Sequence, residues 1–138
     1  MSAVSATGGC LCGAVRYRAP RASLQGIVIC HCGQCRRFHG HCGAYASVPR
    51  DCLEFDRQEQ LRWYRSSARA RRGFCAQCGA SLFWDPNGSD RIAVAAGSLD
   101  DAGELRVTCH IYTADAGGYY EIAPGLPQHR QGLPRQSS

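Results

Sequence analysis

Cys10-Leu11-Cys12-Gly13 and Cys75-Ala76-Gln77-Cys78-Gly79 are the stretches that decide how this chain folds. Each sets two thiols within one turn and ends on glycine, whose access to positive φ lets backbone amides turn toward the sulfurs. A tetrahedral structural zinc site takes four soft ligands, commonly as two such pairs from distant parts of a chain. Cys10, Cys12, Cys75 and Cys78 therefore form a candidate closed site that stitches the N-terminal segment to the middle of the sequence and contributes folding free energy directly. The alternative reading is a set of buried thiols that act as small hydrophobes.

Between these pairs stands a different cluster, Cys30-His31-Cys32-Gly33-Gln34-Cys35, with three thiols in six residues. Three protein ligands leave one coordination position of a zinc ion free for water, a thiolate or a carbonyl oxygen, which distinguishes catalytic from structural zinc. Cys30, Cys32 and Cys35 are the candidate catalytic residues. Arg36 and Arg37 follow directly; their charge favours thiolate formation, and either could hold a substrate carboxylate in a forked pair. His39 and His41 stand close enough in sequence to bind substrate or move a proton near neutral pH. His31 alternates with the cysteines, so on an extended segment it points away from Cys30 and Cys32. Cys42, Cys52 and Cys109 stand alone and read as buried hydrophobes, with Cys42 near enough to be a spare ligand or redox partner.

The surrounding composition agrees with metal binding. The chain has 138 residues and ten cysteines, with 44% hydrophobic and 20% charged residues, enough for one core and too little for two. Met1 to Thr7 has neither the basic start nor the apolar middle of a secretory signal, and apolar runs such as Ile92 to Ala96 are far too short for a membrane helix. The reading is a cytoplasmic chain, where clustered cysteines favour metal over disulfides. All 16 basic residues are arginine, which excludes lysine nucleophiles and Schiff bases. Seven thiolates holding two divalent ions would reduce the formal charge of +5 to about +2, too little to predict a nucleic-acid partner by itself.

Alternating or β-branched runs predict strands over 14–18, 25–30, 43–48, 61–65, 81–85 and 91–96, with Asp85-Pro86-Asn87-Gly88 as a turn and one helical turn over 34–39. Trp63, Tyr64, Phe83 and Trp84 read as core. The run from Arg65 to Arg72 reads as an exposed hairpin arm, or else as an anion-binding ribbon. Residues 1–138 read as a single domain ending in a loose polar tail, 129–138.

The ordered motifs Gly9-Cys10-Leu11-Cys12-Gly13-Ala14-Val15-Arg16-Tyr17, Cys30-His31-Cys32-Gly33-Gln34-Cys35-Arg36-Arg37 and Phe74-Cys75-Ala76-Gln77-Cys78-Gly79 resemble the glutathione-dependent formaldehyde-activating enzyme family, which includes centromere protein V. The resemblance runs over about 7–128, continuing through Ala96-Gly97-Ser98-Leu99-Asp100, His110-Ile111-Tyr112 and Gly125-Leu126-Pro127. It implies a mainly β fold, a β-tent of twisted antiparallel sheets pinned by zinc. It also implies two zinc ions, one on Cys10, Cys12, Cys75 and Cys78 and one on Cys30, Cys32 and Cys35. The implied activity is that of a carbon–sulfur lyase joining formaldehyde to glutathione. This chain departs from the resemblance at Ala114-Asp115-Ala116-Gly117-Gly118, where relatives commonly carry a lysine, at Gly33, where they often carry serine, and at the additional Cys42. The competing readings are a zinc-stabilised module that binds protein or nucleic acid, and a thiol protein that handles metal or redox change.

Overall fold

The computed structural model describes residues 5–133. They form two sheets. The smaller is three-stranded, in the order β1 (Ser5–Gly9), β2 (Arg16–Pro20) and β5 (Glu54–Arg57). The larger has seven strands in the order β10 (Val107–Ile111), β3 (Ile27–Cys30), β4 (Gly43–Pro49), β9 (Arg91–Ala95), β8 (Ser81–Pro86), β7 (Ala70–Cys75) and β6 (Leu61–Arg65). All pairings are antiparallel except that of β10 with β3. The mainly β reading holds, and the one α-helix among the described residues, α1 (Gly33–His39), begins one residue before the predicted helical turn.

Strand alternation explains why the large sheet has two working faces. Ala46 and Val48 of β4 and Ile92 and Val94 of β9 turn toward the small sheet, where they meet Ala6, Val15, Tyr17 and Ala19. Phe83 is fully buried at the centre of this core; Tyr17 packs on it edge-to-face at 5.3 Å, and Phe55 does so at 5.5 Å. Burial of each such ring is worth about 2 kcal/mol or more. Tyr45, Ser47, Arg91 and Ala93 instead line a cleft on the opposite face.

Close packing leaves no room for a side chain at Gly8, where a Cβ would stand 2.4 Å from Tyr17 Oη and 2.6 Å from the Ser98 carbonyl. Sequence reasoning placed all four aromatics at 63, 64, 83 and 84 in the core. Tyr64 is in fact exposed, because β6 is the edge of the sheet, and Trp84 lines the cleft. The strands β1, β5, β7 and β10 were not among those predicted: β1 ends in two glycines, β5 carries three charges in four residues, β7 opens inside the arginine run, and the alternation of Val-Thr-Cys-His-Ile in β10 is a signal that was missed.

The expected loose tail is tied down at its start. His110 N donates to Pro127 O, His129 N donates to His110 O, and Tyr112 N donates to Gln131 O, so this segment covers the open edge of β10. Residues 134–138 lie outside the described residues. Among the described residues, no helix is long and apolar enough to cross a membrane.

Candidate metal centres and the cleft

The fold assembles both cysteine sets. Cys10 and Cys12 follow β1, while Cys75 ends β7 and Cys78 lies in the turn before β8. Their four sulfurs lie within 4.8 Å of one another. The set thus joins the last residues of a small-sheet strand to a large-sheet strand, at the margin of the core. Gly13 (φ 82°) and Gly79 (φ 80°) take the left-handed conformation that each turn requires. Val15 N donates to Cys10 Sγ at 3.2 Å, and Gln77 N and Cys78 N donate to Cys75 Sγ at 3.3 and 3.5 Å. Backbone donors to sulfur stabilise thiolates, and the amide of Ala80, followed by that of Cys12, pulls the Cys78 thiol down to about 6. Four sulfurs at this spacing fit a tetrahedral soft metal such as zinc.

Cys30, at the end of β3, and Cys32 and Cys35, at the start of α1, form the second set, again with sulfurs within 4.8 Å. Cys35 N donates to Cys32 Sγ at 3.3 Å. Hydrogen bonds from the Cys30 and Cys35 thiols pull the Cys32 thiol down, while the bond to Cys32 pushes Cys30 strongly up. Three thiols this close compete to ionise, and a dication shared by all three would relieve that competition. No His, Asp or Glu side chain joins this set among the described residues.

Beside the trio lies Arg72, only 3% exposed. Both of its terminal nitrogens lie 3.8 Å from Cys35 Sγ; Nη1 also donates to Tyr45 Oη at 3.2 Å and Nη2 to Gln34 Oε1 at 3.4 Å. This buried cation offsets the charge of the sulfur cluster. Tyr45 Oη in turn shares a 2.6 Å hydrogen bond with His39 Nε2. Burial first, and then the charge of Arg72, hold His39 below the ordinary histidine range, so its imidazole is neutral near pH 7. Gly43 makes room for this contact, since a Cβ there would stand 2.9 Å from both the His39 and Tyr45 rings.

The trio opens onto a cleft of about 1070 Å³. Cys30, Cys32 and Cys35 line one part of it, with Gln34, Tyr45 and Arg72; Ser47, Trp84, Arg91 and Ala93 extend along the sheet, and Arg69 and Tyr112 also contribute. Tyr112 takes a left-handed conformation (φ 55°), uncommon for a residue with a side chain. Arg36 and Arg37 adjoin the trio on α1 but are not among the residues lining the cleft, and His39 reaches it only through Tyr45.

His31 turns away from the trio, as alternation predicted: it is buried, with Nδ1 on Tyr120 Oη and Nε2 2.9 Å from His110 Nδ1. His41 meets Tyr119 instead. Cys109 is buried as expected, whereas Cys42 and Cys52 are partly exposed.

Sequence reasoning missed Arg72 and Arg91 as site residues. Arg72 was absorbed into the arginine run, whose members have separate fates: Arg71 pairs with Asp85 at 2.8 Å, Arg65 donates to Asn87, and Arg72 is buried. The strand parity of Ala70 and Arg72 beside the small residues of β7 was the available signal. The segment forms part of the β6–β7 hairpin, with Arg72 turned inward.

A crystal structure of a Rhodobacter sphaeroides protein, a structural-genomics target, is similar to this chain with 25% identity and a TM-score of 0.56 over 74% of this chain and 99% of that one. No curated protein matches the sequence. The sequence profile described as glutathione-dependent formaldehyde-activating enzyme matches residues 5–115, which takes in both cysteine sets, α1 and all ten strands. The chain belongs to the glutathione-dependent formaldehyde-activating enzyme family.

Proposed function

We propose that the protein is a zinc-dependent carbon–sulfur lyase-type enzyme that combines a small thiol such as glutathione with a small aldehyde such as formaldehyde, and reverses that reaction. The observation that carries this reading is a three-sulfur set that opens onto a cleft, in a chain whose other cysteine knuckles form a four-sulfur set. Cys30, Cys32 and Cys35 would hold the catalytic zinc, and Cys10, Cys12, Cys75 and Cys78 the structural one. When bound at the trio, zinc supplies Lewis acidity and an affinity for thiolate.

The protein's own residues supply the rest. Arg72 balances the negative charge of the sulfurs, so that a further anionic group can approach them. The cleft confines thiol and aldehyde together, which removes much of the entropic cost of a two-reactant step. In that step the thiol loses its proton, its sulfur bonds to the aldehyde carbon, and the carbonyl oxygen gains a proton. Tyr45 lines the cleft and is bonded to neutral His39, so this pair is placed to take up the first proton and return the second. Substrate charge falls to the cleft-lining arginines, and Arg36 and Arg37 support the field around the trio from α1.

Exchange spectroscopy on isotopically labelled formaldehyde and glutathione tests the reading. Wild-type protein should accelerate formation and breakdown of the hydroxymethyl thioether well above a Cys32→Ser variant; equal rates would reject the activity.

A further inference from the structure

Three side-chain nitrogen or oxygen atoms among the described residues are buried without a hydrogen-bond partner, and two of them belong to arginines that line the cleft: Arg72 Nε and Arg91 Nη2. Arg72 is engaged with Cys35, Tyr45 and Gln34. Arg91 is different. Its Nε donates to Ser47 Oγ at 2.6 Å, a bond that fixes the guanidinium on the cleft floor where β9 pairs with β4. It enters none of the ion pairs among the described residues, although Arg50 and Arg71 share Asp85. Arg69 is likewise free of ion pairs, and Asp115 is the one acidic residue in the cleft lining.

A partly buried guanidinium with no anion carries an uncompensated cost, and its fork of donors matches a carboxylate. Its place in the cleft also sets a length. Cys30 pairs with Gly43 on β4, and Ser47 lies four residues farther along that strand, so about 13 Å of sheet separates the trio's strand end from the Ser47–Arg91 pair. That span exceeds the sulfur-to-carboxylate reach of a single cysteine, so a thiol that bridges the two places must carry its carboxylate on a neighbouring residue of a peptide.

We propose that Arg91, positioned by Ser47, binds a carboxylate of a peptide-sized thiol whose sulfur lies at Cys30, Cys32 and Cys35, so that the cleft selects thiols by the distance between sulfur and carboxylate. The inference rests on the thiol-binding reading above. Arg91 is a specificity-determining residue, and Ser47 is a positioning residue that acts through it.

Titration calorimetry on the zinc-loaded protein, with glutathione and with its diethyl ester as probes, tests this. Wild-type protein should bind glutathione roughly 10- to 100-fold more tightly than the ester, the range expected for hydrogen bonds to a charged group. Arg91→Gln should abolish that preference while leaving ester binding unchanged, Arg91→Lys should keep part of it, and Ser47→Ala should reduce it. Zinc content and melting temperature of each variant report folding, and the Lys and Ala variants carry the test should Arg91→Gln fold poorly. Unaltered discrimination in Arg91→Gln, or equal weakening of acid and ester, would overturn the inference alone. If neither thiol binds wild-type protein, the thiol-binding reading falls and the inference with it.

Discussion

The two cysteine sets are built from the same ligand type and nearly the same turns, yet they occupy opposite kinds of place. The four-sulfur set sits where β1 and β7 end, at the margin between the sheets, and Cys75 within it is fully buried. The three-sulfur set sits on the far face of the large sheet at a cleft, with a buried arginine 3.8 Å from one sulfur. The first set links two parts of the fold; the second presents charge and an incomplete donor set to a space large enough for a reactant. Ligand number and surroundings, more than ligand identity, separate a structural centre from a reactive one.

The largest effect should follow from breaking the linking set. Cys75→Ser should cost on the order of 5 kcal/mol, the scale of losing a structural metal, and should show in thermal denaturation as a collapse of cooperative unfolding together with loss of one bound zinc. Cys32→Ser sharpens the contrast: catalysis should fall by at least about 100-fold while the melting curve stays close to wild type. Were both variants to unfold alike, the division between the sets would be wrong.

Arg72→Gln should weaken zinc at the trio by roughly 10- to 100-fold in a competition titration with a chromophoric chelator, leaving the four-sulfur set unaffected. The smallest effect belongs to the edge of the small sheet. There the Arg16 guanidinium, with Thr7, holds the Asp100 carboxyl down at about 2, below its ordinary 3.8. The pair therefore contributes stability above about pH 4 that is lost as pH falls toward 2. Asp100 is half exposed, so Asp100→Asn should remove under about 1 kcal/mol at neutral pH, and its denaturant midpoint should lose less than that of wild type between pH 4 and 2.

Much of this arrangement was legible in the chain. The knuckles announce themselves by spacing and by Gly13 and Gly79, and β4, β6, β8 and β9 by alternation within a residue or so. What escaped was the part created by pairing. Arg72 looks like any member of an arginine run until β7 is seated between β6 and β8, which turns alternate residues to opposite faces. Arg91 and Ser47 are far apart in sequence and meet only through the β4–β9 register. The stretch after Pro127 looked loose because it is polar, yet its backbone bonds to β10 need no apolar side chain.

Cadmium-113 NMR of the cadmium-substituted protein tests the central division most directly. Two resonances are expected, one for each sulfur set, and addition of glutathione should shift one and leave the other in place. A single resonance, or two that both ignore the thiol, would contradict the account.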